Sequence, residues 1–213
     1  MFTFNLRKTV VLAIAMLVIS TLQLACSSND EVLPSTNLGT ACIEDFQEGI
    51  DYFPEKASIS HAQNFSIEYH DYFKVLKIPE GTKSVYVLVQ CGAPKPPLTG
   101  PLADAEIIQI PIKTIFTSST AQIPALVDVE RVEALTGHAQ TSLVVSPLIV
   151  RRINEGKIDS FAENYEIDIE TVIASNPKVL LSGGFEDPAY PALRDAGIIV
   201  VDYPDWLEKT PLA

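Results

Sequence analysis

Basic residues are scarce in this chain: 15 Lys and Arg stand against 27 Asp and Glu among 213 residues, for a formal net charge of −12 at neutral pH. Nucleic-acid binding rests on clustered Lys and Arg that neutralise phosphates, and so acidic a chain has no such footprint. Histidine is as rare, with only His61, His70 and His138. His70 beside Asp71 has the makings of an oriented general base, but no Ser or Cys nucleophile motif accompanies it. No G-x-S-x-G, H-E-x-x-H or phosphate-binding glycine loop occurs either. A secreted hydrolase is therefore disfavoured, and the three histidines read as surface or hairpin residues. The expectation is a protein that is not an enzyme, with no metal site and no cofactor. Internal repeats are missing too.

What is present begins at the N-terminus. Arg7 and Lys8 precede an unbroken apolar run from Val10 to Ile19, and no acid occurs before Asp30. The run is too short to span a bilayer, which takes about 20 apolar residues. It reads as a secretory signal over residues 1–25. The following "LQLAC", Leu22 to Cys26, resembles the bacterial lipobox, and the resemblance implies that Cys26 is acylated and becomes the first mature residue. Several acyl chains on one cysteine would exceed the marginal hold of a single chain. The mature chain would then be lipid-anchored outside the cytoplasm, in the periplasm or at the cell surface, with a formal charge of −14. Residues 26–40, polar with Pro and Gly, read as a flexible tether. Cys42 and Cys91 are the remaining cysteines; outside the cytoplasm a disulfide is the first reading, and two separate buried thiols the alternative.

Residues 41–112 read as a β-rich N-terminal extension. "FSIEYHDYFKVLKI" and "SVYVLVQC" are expected to pair as a β-hairpin around "PEGTK", set at one edge of the sheet that follows. "AEIIQIPI" reads as a further strand. From residue 113 to 213 short apolar strands alternate with helices. "KTIFTSS", "RVEALTG", "KVLLSGG" and "IIVVDY" are the strands. The helices are "TAQIPALVDVE", a weak one started by Thr120 and broken or kinked by Pro124; "SPLIVRRINEGK", capped by Ser146; "DIETVIASNP", capped by Asp168; and "DPAYPALRDAG", capped by Asp187. Strands that are apolar throughout predict a parallel sheet covered on both faces, hence an α/β, Rossmann-like fold.

The order of pieces from "IFTSSTAQIPAL" through "IDIETVIASNPKVLLSGG" to "LRDAGIIVVDYPDWLEKTPLA" resembles the ABC-transporter substrate-binding proteins of the iron-siderophore, haem and cobalamin class. The resemblance spans roughly residues 113–213, and "YVLVQCGAP" looks like an extension found in a subset of that class. It implies the N-terminal lobe of a two-lobed protein, with ligand held between lobes and acidic outer tips docking on a membrane permease. "WLEKTPLA" is similar to the segment that leads into a lobe-spanning helix, so the resemblance also implies that this helix and the second lobe are not in this chain.

By position, Ser118, Ser119 and Thr120 would end the first strand of the lobe and point into the cleft. Gly183, Gly184 and Phe185 would end a later one, and Tyr203 and Trp206 would follow the last. "SGG" is equally a plain tight turn, and Trp206 is equally a packing residue for the spanning helix. Asp128 and Glu130 are the candidates for permease docking. The implied partners are a metal chelate or corrinoid, the permease and the membrane. A scaffold or adhesion lipoprotein that keeps the lobe without transport is the alternative. Cys26→Ser should leave the precursor uncleaved by the lipoprotein signal peptidase and unlabelled by radioactive fatty acid; normal labelling of that variant would refute the anchor.

Overall fold

The computed structural model describes residues 34–79 and 83–210; Cys26, the apolar run before it and Ala213 lie outside the described residues. The N-terminal half folds as strands β1 (Ser66–Tyr69), β2 (Phe73–Lys77), β3 (Val85–Gln90) and β4 (Glu106–Ile110), ordered β1-β2-β3-β4. β1 and β2 are antiparallel, as are β2 and β3, whereas β4 lies parallel to β3. "FSIEYHDYFKVLKI" is therefore two strands rather than one; β2 and β3 pair antiparallel as the expected hairpin does, and β1 and β4 extend it to a four-stranded mixed sheet. The break falls at His70-Asp71-Tyr72, where the His70 amide turns back to the Phe73 carbonyl at 2.9 Å. Polar turn residues there end the β-branched and aromatic run.

The second half supplies β5 (Ile115–Thr117), β6 (Leu135–His138), β7 (Asp159–Ser160), β8 (Ala162–Glu163), β9 (Glu166–Ile167), β10 (Val179–Ser182) and β11 (Ile199–Asp202). Five of these make an all-parallel sheet ordered β11-β10-β5-β6-β7. The chain winds outward from β5 to β7, then returns to the other side of β5 for β10 and β11. That is the doubly wound strand order, so the α/β class with a parallel sheet is as the sequence predicts. β8 and β9 form a small separate hairpin.

Helices α1 (Ile123–Asp128), α2 (Pro147–Asn154), α3 (Ile169–Ser175) and α4 (Tyr190–Asp195) connect the strands. Pro124 does not kink α1. It occupies the first turn, where its missing N–H leaves nothing unpaired, and Ser119 rather than Thr120 caps the 3-10 turn that leads in. Asp168 caps α3 as expected, its carboxylate accepting the Thr171 amide at 3.0 Å. α4 starts at Tyr190, later than Pro188, because Asp187 first closes a turn through the amides of Ala189 and Tyr190. The strand expected at Arg131 begins at Leu135, after a 3-10 turn over Val132–Ala134.

Alternation along the strands sorts the core. Phe116, Leu180 and Val200 face α3 and α4, meeting Val172, Tyr190 and Leu193. Ile115 faces the other way, against Ile123, Leu126 and Ile149 of α1 and α2. On that same side Val179, Ile199 and Val201 are covered by Tyr86, Leu88, Ile108 and Ile110 of the four-stranded sheet, and Leu181 lies between this cluster and the helical one. The N-terminal β-segment therefore lies on a face of the parallel sheet, not at its edge. The four apolar side chains on β10 and β11 need that cover, and burial of each contributes about 1.5–3 kcal/mol. Among the described residues no helix is long and apolar enough to cross a membrane.

Cys42 and Cys91 form a disulfide, with Cα atoms 4.8 Å apart. The Ile43 amide donates to the Cys91 carbonyl at 2.8 Å, and Gly92 follows at φ +89, where any Cβ would run into the Ile43 carbonyl. The crosslink pins residues 41–53, whose Ile43, Ile50 and Tyr52 form a satellite core, to the end of β3. Asn37 already exchanges three hydrogen bonds with Glu55, so the chain is held from there onward. Replacing both cysteines by Ala should cost about 4 kcal/mol, the chain-entropy value for a 49-residue separation; the shift of the urea-unfolding midpoint measures it.

Candidate functional site

β5 and β10 are neighbours, but the chain leaves β5 toward α1 on one face of the sheet and leaves β10 toward α4 on the other. The two departing loops part at the carboxyl ends of the strands, the place where open α/β sheets form their ligand crevice. Their backbones are held in register below the parting: the Ser118 amide donates to the Leu181 carbonyl at 3.0 Å. Gln122, 2% exposed, bridges them. Its Oε1 accepts the Ser119 amide at 3.2 Å and its Nε2 donates to the Ser182 carbonyl at 2.8 Å.

The floor is polar and closed. Thr117 Oγ1 and His138 Nδ1 are 2.8 Å apart, and the Ser182 hydroxyl donates to Asp202 Oδ1 at 2.6 Å while accepting the Gly184 amide at 3.1 Å. Ser118 is hydrogen-bonded to the Tyr190 hydroxyl, whose pKa is pushed up to about 12, first by burial and then by the charge of Asp187. Tyr190 thus stays a neutral phenol throughout the physiological range.

Aromatic side chains form the rim. Phe185 and Trp206 stack with ring centroids 5.1 Å apart and planes within 8°, yet remain 65% and 55% exposed. The indole N–H donates to the Gly183 carbonyl at 3.1 Å. Gly184, at φ +79, permits this approach, since a Cβ there would come within 2.7 Å of Pro204. Opposite, Tyr165 occupies the two-residue turn of the β8–β9 hairpin. Asn164 and Tyr165 both have positive φ, 51° and 68°. That geometry suits a hairpin turn but is uncommon for a tyrosine, and it leaves the ring 81% exposed. Tyr165 borders both halves of the crevice, of about 550 and 250 Å³.

Ser118, Ser119, Gly183, Phe185 and Trp206 line the larger half together, and Thr120 lines the smaller. Gly184 lies beneath, packed on Pro204. Tyr203 is elsewhere, in a separate apolar crevice of about 360 Å³ with Phe65, Leu76 and Ile78. Asp128 and Glu130 are exposed at the end of α1 remote from the crevice. His138, expected at the surface or in a hairpin, is 1% exposed because β6 carries it under the smaller half. His70 stacks on Phe73 beside Glu68 on the β1–β2 turn. Tyr165, Tyr190, Gln122 and Asp187 are site residues that the sequence reading missed; only the short "NY" turn of Tyr165 left a visible signal. Among the described residues no group of three or more His, Cys, Asp or Glu is arranged to hold a metal.

No protein-family model matches this chain, and no curated protein is significantly similar to it.

Burial pulls the His138 pKa below the usual imidazole value, against a smaller opposing hydrogen bond to the Thr117 backbone. The native state thus keeps His138 neutral, while the unfolded chain protonates it near about 6.5. Its contribution to stability is present above that pH and is lost as pH falls below it toward the native value. The urea midpoint should drop between pH 7 and 5, and His138→Gln should remove part of that drop.

Proposed function

We propose that this chain is a lipid-anchored ligand-binding protein of the uptake class its sequence resembles. Residues 113–213 would be the first lobe of the substrate-binding component of an ABC importer for an iron chelate, siderophore or haem, or for a cobalamin. The observation that carries the reading is the crevice at the parting of β5 and β10, with hydroxyls on its walls and exposed rings on its rim. Its hydroxyls and backbone amides offer preformed bonds to a polar ligand edge, and the rings offer cover for a flat face. Binding of this kind needs no turnover. The Cys42–Cys91 disulfide supports an oxidising compartment, in keeping with export and an anchor on Cys26. Asp128 and Glu130, remote from the crevice, leave it unobstructed while offering acids for contact with a permease.

Trp206 is the chain's single tryptophan and borders the crevice, so it reports occupancy directly. Titration with a ferric trihydroxamate, haemin and cyanocobalamin in turn should find at least one that quenches its emission saturably, with matching heats by calorimetry. Phe185→Ala and Tyr165→Ala should each weaken the response about five- to thirtyfold, the equivalent of roughly 1–2 kcal/mol per lost ring contact. Neither saturable quenching nor heat up to millimolar ligand would reject the uptake reading in favour of a scaffold.

A further inference from the structure

The crevice carries charge of one sign. Glu186, Asp187 and Asp205 line its larger half, and among the described residues no Lys or Arg lines either half. Arg194 approaches the Tyr190 ring at 5.7 Å but does not line the walls. The hydroxyls of Ser118, Thr120 and Tyr190 are neutral donors and acceptors. An anionic ligand entering here would find no cationic partner among the described lining residues and would meet the carboxylates of Asp187 and Asp205. Burying a charge without a counter-charge is costly, and like charges at close range add to that cost. A cationic ligand meets the opposite arrangement: carboxylates along the rim and the faces of Tyr165, Phe185 and Trp206, which attract cations through their ring quadrupoles.

Resting on the uptake reading above, we infer that this crevice selects a neutral or cationic chelate or corrinoid with a flat apolar face, and rejects the anionic members of the same classes. Carboxylate-rich ferric chelates, triscatecholates and free haem propionates lie on the rejected side; ferric trihydroxamates with a free amine and uncharged corrinoids lie on the accepted side. The aromatic shelf sets the shape requirement and the rim carboxylates set the sign. Neither feature does the other's work, so the two are separable by substitution.

The test uses paired ligands whose chief difference is charge. A linear ferric trihydroxamate bearing a free amine is compared with the same chelate after succinylation of that amine, and cyanocobalamin with its monocarboxylic acid. Binding is read from Trp206 emission and calorimetry on the unaltered protein at low ionic strength. The uncapped and uncharged forms should bind at least fivefold tighter than their carboxylate counterparts, and 0.5 M salt should narrow the gap, because screening shortens the reach of the rim charges. The variant combining Glu186→Gln, Asp187→Asn and Asp205→Asn should lose the discrimination; Asn keeps the oxygen that accepts the Ala189 amide. An equal charge change at the exposed Glu44, Asp45 and Glu48 should leave it intact. Equal or tighter binding of the carboxylate forms overturns the charge inference while leaving the uptake reading standing. Equal loss of discrimination in both triple variants assigns it to net charge and overturns the inference too. No binding of any probe rejects both.

Discussion

One side-chain amide, that of Gln122, sets the geometry on which the crevice depends. It spans two chain segments 60 residues apart in sequence, closing a capping box with Ser119 on one side and reaching the Ser182 carbonyl on the other. That same carbonyl accepts the Tyr203 amide at 3.1 Å, so three loops converge on one residue of β10. A satisfied buried hydrogen bond contributes only about 0.5–1.5 kcal/mol net, but leaving a partner unpaired costs about 1–3. Loss of the amide would strand the Ser119 amide and leave the Ser182 carbonyl with the Tyr203 amide alone. The network is thus worth more as a constraint on loop position than as a source of stability.

Four strands of the parallel sheet were legible because they are short and largely apolar, whereas β7, the exposed polar pair Asp159-Ser160, gave no such signal. The helices were legible because Asp168 and Pro147 are positional signals with a local cause, while Ser146 sits at the cap position without a side-chain cap hydrogen bond. Neither depends on distant residues. The placement of the N-terminal β-sheet was not legible. Tyr86 and Ile108 alternate as strand residues do, but nothing local tells them to sit over Val179 and Ile199 rather than beside β11. Tyr203 was misplaced for a related reason. It follows β11 directly, yet its side chain turns toward the four-stranded sheet, on the opposite side from Trp206 only three residues later. Tyr165 was missed because a two-residue turn between strands of two residues each is too short for any periodicity to register.

The division of labour between the two faces has a physical logic. On one side α3 and α4, with Phe161, cover the alternating Phe116, Leu180 and Val200. The other side is shared between a helix pair and a second sheet, and the junction is clasped near its open end by Glu208. Its carboxylate accepts the amides of Gln63 and Asn64 at 2.9–3.1 Å. Those hydrogen bonds hold the carboxyl group below its usual pKa, with the Asn64 amide the largest cause. The segment carrying Trp206 is therefore anchored on both sides, by its indole to Gly183 and by Glu208 to the N-terminal half.

The central position of β5 bears on how the chain emerges from the ribosome. Its first neighbour, β6, follows within about one helical connection, but its second, β10, is made much later: Thr114 and Lys178, which meet just ahead of the two strands, are 64 residues apart. At synthesis rates of roughly 5–20 residues per second that interval is about 3–13 s. Throughout it, one edge of the apolar strand Ile115-Phe116-Thr117 has no partner. An open, uncharged strand edge is a template for pairing with another chain. A nascent polypeptide of this order therefore gains most from a holding chaperone in the window between completion of β6 and arrival of Val179.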